Sequence, residues 1–238
     1  MIIQNKKDFA LGWKRGLPIA IGYLPVSFTF GLTAVSGGIP VWLTILISLT
    51  NLTSAGQFAG TKLIIAGKGY IEITLVTFVI NIRYMLMSLS LSQKIETKTS
   101  LLQRLIFAFG ITDETFSVSS MEAHRLSYHY MIGLIIGPIL GWTMGTALGA
   151  LICSSLPIRL SNAMGIALYG MFIAIIVPPA RKSKKIVYVL TISIAITCIM
   201  RYVPDLSSIS SGFRVIIATI VASGISAFLY PVEERGEE

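Results

Sequence analysis

The sequence predicts an all-α, polytopic membrane protein: a single transmembrane domain over 1–238, a helical bundle of about eight transmembrane segments. Three observations carry this. Of 238 residues, 54% are hydrophobic and only 13% are charged, where soluble domains average about 25% charged; the mean hydropathy is +0.78. The apolar residues form runs approaching the ~20 needed to cross a bilayer as helix, and none alternates in the ten-residue manner of an outer-membrane barrel. The Lys and Arg residues gather at the ends of those runs, as topology signals do. The net charge of +8 is therefore assigned to orientation in the lipid bilayer, and nucleic acid is set aside as a partner. Cys153 and Cys198 lack C-x-x-C spacing, so neither a disulfide nor a metal site is expected. The basic start (Lys6, Lys7, Lys14, Arg15) followed by an apolar run is read as a retained first span and not as a cleaved signal.

The first span is expected at 17–35, with Pro18 near its start and Pro25 in its middle. A mid-span proline frees a carbonyl, which is tolerated only beside neighbouring helices or a wet cavity. The second, 41–66, contains NLTSAGQFAGT, and Thr50, Ser54, Gln57 and Thr61 share one helical face. That face, with Asn51, suits either interhelical hydrogen bonding or an unwound segment beside Gly56. The third, 71–91, repeats the pattern with Thr74, Thr77, Asn81, Tyr84 and Ser88, while Arg83 points away from Asn81 and lies too deep to snorkel.

The fourth candidate, 105–121, holds adjacent acids Asp113 and Glu114. A carboxylate at mid-depth costs roughly 2.5–3.5 kcal/mol on insertion scales, so the pair needs partners, water or a task. At 17 residues the segment is short for a span, and seven spans result if it is re-entrant. Ser119 and Glu122 stand at capping-box spacing, predicting a helix start there that runs through His124, Arg125 and His129. The two histidines share no face and are read as interfacial. The fifth span, 130–152, carries Gly133, Gly137, Gly141, Gly145 and Gly149 at an unbroken spacing of four, a stripe that lets helix backbones approach closely. Spans six to eight are expected at 160–177, 186–203 and 213–230, the last with Ala218, Ala222 and Ser226 as a candidate counterpart to the stripe. Part of the stripe is expected to stay free for a helix of another chain. Pro25 and Pro138 hint at a duplication relating spans one and five.

With eight crossings and cytoplasmic termini, Lys6, Lys7, Lys14, Arg15, Lys68, Arg125, Arg181, Lys182, Lys184, Lys185 and Arg235 fall inside. Lys94, Lys98, Arg104, Arg159, Arg201 and Arg214 fall outside, in keeping with the positive-inside rule.

No Walker motif, H-E-x-x-H, G-x-S-x-G or Cys/His ligand cluster occurs, so neither an enzyme nor a cofactor or metal site is expected. The interrupted polar helix, the mid-span arginine and the acid pair instead suit a secondary transporter. Asp113, Glu114, Arg83, Asn81, Asn51, Ser54 and Gln57 are its candidate pathway residues, with Arg83 expected within reach of Asp113 or Glu114.

At GLPIAIGYLPVSFTFG (16–31), SAGQFAG (54–60), NIRYMLM (81–87) and TDETFSV (112–118) the chain resembles the AzlC family, the large subunits of two-component bacterial exporters of branched-chain amino acids. The resemblance implies residence in the bacterial inner membrane, a small AzlD-like membrane partner, a hydrophobic amino-acid substrate and export driven by the proton gradient. The other function class left open is a structural or regulatory membrane subunit with no transport site of its own.

Overall fold

The computed structural model describes residues 2–153, 183–207 and 209–230, with scattered positions between 173 and 181. All but three residues of the span expected at 160–177 lie outside the described residues. Helix α1 covers Ile2–Ser36, α2 Val41–Thr50, α3 Ala55–Ile65, α4 Tyr70–Ser92, α5 Leu101–Ala108, α6 Asp113–Ser120 and α7 Tyr128–Ile152. Then follow α8 Lys184–Tyr202, the single turn α9 Pro204–Ser207, and α10 Ser211–Leu229. Among the described residues, five helices are long and apolar enough to cross a membrane: α1, α4, α7, α8 and α10.

The centre of the bundle is α1 against α7. They run parallel, because Phe9 meets Gly133, Ala20 meets Gly141 and Phe28 meets Gly149. All five stripe glycines face α1, and Gly12, Gly16 and Gly31 answer from α1 against Tyr130, Leu134 and Thr146. At nearly all of these glycines an added Cβ would collide with backbone of the partner helix, so the axes approach as only small residues allow. The expectation that α10 or another chain shares this stripe is thus corrected: α1 uses it entirely, while Ala218 and Ala222 of α10 are buried elsewhere. Pro138 leaves the Leu134 carbonyl without its i+4 donor, and that carbonyl is where Gly16 approaches. Helix α1 also begins fifteen residues before the expected span. Pairing with α7 already starts at Phe9, and Asp8 and Arg15 find partners in Ser127 (2.7 Å) and Glu122.

Two of the expected spans do not cross. Residues 41–66 form α2 and α3 around a break at Asn51–Ser54. The far end of α3 returns to the face it left, since Ile65 packs on Gly37. Residues 105–121 likewise split, into α5 and α6 around Phe109–Thr112. The loops flanking this second hairpin lie together: Glu96 N–H donates to Leu126 O (3.0 Å), Leu126 N–H to Lys94 O (2.8 Å), and Lys94 Nζ to Ser120 O (2.5 Å) and Glu122 O (2.9 Å). The segment is therefore re-entrant, as the alternative reading of 105–121 had it, and 41–66 is re-entrant from the opposite face, so two of the eight expected crossings are lost and not one. Their half-helices of eight to eleven residues reach about 12–17 Å, half a bilayer, whereas the 23 residues of α4 span about 35 Å.

This placement moves Lys94, Lys98 and Arg104 to the face of the N-terminal lysines and Lys68 to the other, which sharpens the positive-inside bias and marks the first face as cytoplasmic. The helix start expected at Ser119 is also corrected. Ser119 donates to Thr115 O (2.7 Å) inside α6, residues 121–127 pair with 94–96, and Ser127 caps α7 by accepting from Tyr130 N–H (3.2 Å).

At the outer face α10 docks on α4 through Glu72, which is 8% exposed. Its carboxylate accepts Gly212 N–H (2.9 Å) and the Ser210 hydroxyl, capping α10 where the helix dipole favours an anion.

Candidate functional site

The two hairpin tips are bridged near mid-depth by neighbouring side chains of α4, Tyr84 reaching the first and Arg83 the second. Arg83 Nη1 lies 2.9 Å from Asp113 Oδ2. This is the ion pair expected from the cost of a guanidinium at that depth. It links α4 to the first turn of α6, where Thr112 caps the helix by accepting Thr115 N–H (3.3 Å). Arg83 also sits over the Tyr84 ring, 5.1 Å from its centroid. The Tyr84 hydroxyl donates to Thr53 O at the tip of the first hairpin (3.1 Å) and lies 3.4 Å from Arg83 Nη2.

Glu114 takes a different partner. Its Oε2 accepts from the Tyr23 hydroxyl at 2.5 Å, and the same hydroxyl lies 2.8 Å from Thr112 Oγ1. Tyr23 belongs to α1, two residues before Pro25, and its ring packs edge-on against Trp142 of α7 (5.3 Å between centroids). Trp142 Nε1 donates to Gln57 Oε1 (3.0 Å), Gln57 Nε2 to Ser48 Oγ (2.6 Å), and Ser48 and Thr146 hydroxyls meet at 2.7 Å. Gln57 is 2% exposed and spends both ends of its amide in this chain, which satisfies a group that would otherwise cost several kcal/mol in a dry interior.

The break in the first hairpin is strained at Ser54, a non-glycine residue with φ +47°, a conformation that costs of order 1–3 kcal/mol and clusters at functional sites. Its side chain makes no cap bond. Asn51 accepts from Thr53 Oγ1 (2.8 Å). Gly56, in the first turn of α3, is where the Asn81 side chain rests, and any Cβ there would collide with it. Asn81 Oδ1 and Arg83 Nε are buried atoms without a hydrogen-bond partner among the described residues. A groove of about 560 Å³ opens from here between α2, α3 and α4, with Asn51, Gln57 and Asn81 at its deep end and Ile64, Ile73 and Phe78 along its walls.

Of the sequence-derived pathway residues, Arg83 and Asp113 are in direct contact. Asn51, Gln57 and Asn81 share the groove, while Ser54 sits at the break above it. Glu114 joins through Tyr23 instead of Arg83. Sequence reasoning missed Tyr23, Trp142, Ser48 and Thr146. The legible signal was Trp142: a tryptophan in the middle of a span, away from the interfacial belts, needs an acceptor for its N–H. His124 and His129 line a separate cavity of about 660 Å³ at the cytoplasmic face, with Asp8, Glu96 and Glu122. No metal-binding cluster of three or more His, Cys, Asp or Glu occurs among the described residues.

A family model described as AzlC protein matches residues 18–156, from the start of the first expected span to just past α7. The chain belongs to the AzlC family. The AzlC relatives similar to it include the inner membrane protein YgaZ of Escherichia coli, 28% identical over 75% of this chain and 76% of that protein. An uncharacterized membrane protein of Archaeoglobus fulgidus is 29% identical over 74% and 78%, and one of Helicobacter pylori 24% over 81% and 86%. No solved structure matches. Relatives and apolar helices agree on a multi-pass membrane protein, and AzlC membership with a polar site at mid-depth supports a role in membrane transport.

Proposed function

We propose that this chain is the large subunit of a secondary transporter that exports branched-chain amino acids across the bacterial inner membrane, coupled to protons and assembled with a small AzlD-like membrane protein. It performs no covalent chemistry. The observation that carries the reading is the Arg83–Asp113 pair, 2.9 Å apart, where α4 bridges two half-crossing hairpins. A zwitterion brings one charge of each sign, so its carboxylate and ammonium can replace Asp113 at Arg83 and Arg83 at Asp113. Neither protein charge is left unpaired in either state, which avoids the penalty of a lone ion at depth. The spare Nε of Arg83 adds a donor for the carboxylate. Ile47, Ile64, Ile73 and Phe78 line the groove that Asn81, two residues before Arg83, also borders, and suit a branched aliphatic side chain. Asp113, paired with Arg83, and Glu114, held by Tyr23, are the two acids at the site available to the coupled proton.

The test is amino-acid efflux from a strain expressing the chain with and without the small membrane protein encoded beside it. Branched-chain amino-acid efflux that needs both chains and a pH gradient is expected, with Arg83→Ala inactive and the pH dependence altered in Asp113→Asn or Glu114→Gln. Efflux unchanged in Arg83→Ala refutes the site. No efflux of any amino acid, in membranes where both chains are assembled, leaves a structural or regulatory subunit.

A further inference from the structure

Helices α1 and α4 carry the same pattern near mid-depth. Tyr23-Leu-Pro-Val-Ser27-Phe-Thr29-Phe and Tyr84-Met-Leu-Met-Ser88-Leu-Ser90-Leu share a tyrosine, a serine four residues on, a hydroxyl two further, and apolar residues between. Each is followed at similar distance by a hairpin whose second half-helix starts alike: Ser54-Ala-Gly-Gln57-Phe58 after 31 residues, Thr112-Asp-Glu-Thr115-Phe116 after 28. Both hydroxyl residues precede a half-helix that begins at mid-depth, α3 and α6.

The two units have opposite orientation. Helix α1 runs from the cytoplasmic to the outer face and its hairpin enters from outside; α4 runs back and its hairpin enters from the cytoplasm. Their contacts are reciprocal. Tyr23 of the first unit holds the second unit's tip at Thr112 (2.8 Å) and Glu114 (2.5 Å), and Tyr84 of the second holds the first unit's tip at Thr53 O (3.1 Å). The charges break the likeness: Arg83, Asp113 and Glu114 correspond to Gly22, Ala55 and Gly56. Among the described residues, a Cβ at Gly22 would meet nothing within 4 Å.

We infer that residues 23–58 and 84–116 are inverted-topology repeats, and that Tyr23 and Tyr84 are their paired gate residues, each latching the hairpin of the other repeat. Inverted repeats let one fold present a mid-depth site to either side by exchanging equivalent conformations. A hairpin that enters from one face covers the site from that face alone. Releasing Tyr84 from Thr53 therefore frees the outer hairpin, and releasing Tyr23 from Thr112 and Glu114 frees the cytoplasmic one. The inference rests on the transport reading for its purpose but not for its measurement.

The measurement is sided cysteine labelling of the full chain in right-side-out and inside-out vesicles, in a background with Cys153→Ser and Cys198→Ser. The probes are Thr61→Cys on α3 and Ser119→Cys on α6, both buried at rest, and the reagent is a charged, membrane-impermeant maleimide. Tyr84→Phe keeps the ring and should raise labelling of Thr61→Cys from the outer face about fivefold, the scale of one net hydrogen bond, with Ser119→Cys unchanged. Tyr23→Phe, which keeps the packing on Trp142, should raise Ser119→Cys from the cytoplasmic face alone. If Tyr23→Phe does not fold, Glu114→Gln weakens the same latch from the hairpin side and should show the same sidedness. Labelling that rises on the same side for both tyrosines, or on neither, overturns the gates. Opposite sidedness in a chain that moves no amino acid would keep the gates and sink the transport reading.

Discussion

Replacing Gly141 with alanine should destabilise the isolated chain itself and not merely an interface with a partner. A Cβ at Gly141 would fall on the Ala20 carbonyl carbon, oxygen and Cα, which are backbone atoms that no rotamer change can move. The helices must separate instead, and a gap of about 0.5–1 Å forfeits a quarter to a half of each dispersion contact it opens. Gly137 and Gly145 lie one turn to either side against Gly16 and Leu24, so the loss extends along the stripe. Overpacking of a tight site costs about 1–3 kcal/mol. The upper half of that range is expected here, about a 30- to 140-fold fall in the folded-to-unfolded ratio. Gly22→Ala is the control: nothing lies within 4 Å of its Cβ, and alanine is about 1 kcal/mol better than glycine in a helix. Thermal unfolding of both variants in detergent, followed by the monodisperse fraction on gel filtration, reads the difference. Equal Tm for Gly141→Ala and Gly22→Ala would refute the close α1–α7 approach.

Arg83→Gln alone should leave Asp113 without its cation and abolish efflux; Arg83→Gln combined with Asp113→Asn should recover Tm but not efflux, since the neutral pair offers no charge to a zwitterion. Recovery of efflux in the double variant would count against charge recognition. Glu72→Gln should lower Tm by loosening α10 from α4, at a cost of about 1–2 kcal/mol for a lost cap, with little change in substrate affinity. Cysteines at Lys98 and Arg125 should both label from the cytoplasmic face, whereas opposite faces would restore 105–121 as a full crossing.

What was legible follows from what local sequence encodes. Length and hydropathy find α1, α4, α7, α8 and α10, because a crossing helix satisfies its own backbone and needs only apolar length. The same rule hides the hairpins. The run 41–66 is long enough to cross, and its break at Asn51–Ser54 contains neither proline nor glycine. What turns it back is the fit of Phe58 on Phe30 (5.2 Å between centroids) and Ile65 on Gly37, contacts made across the chain. The glycine stripe announced a close approach without naming its partner. Its complement was present as Gly12, Gly16 and Ala20 at the same spacing of four, but two of these lie before the hydropathy edge expected for the first span, among the lysines. Because α7 pairs with α1 and not with α10, the mid-helix prolines Pro25 and Pro138 belong to two parallel neighbours.

The site shows the converse. Charges at depth are costly enough that Arg83 was expected beside Asp113 or Glu114, and the structure selects Asp113. A tyrosine hydroxyl carries a smaller penalty than an ion, so the cost of burial pointed less sharply to Tyr23, although it holds the second acid. The division of labour between neighbours follows from helix geometry: Asp113 and Glu114 open α6 and diverge by about 100°, so one faces α4 and the other α1. A capped helix start thus distributes two adjacent carboxylates to two different helices, one to a fixed cation and one to a phenol.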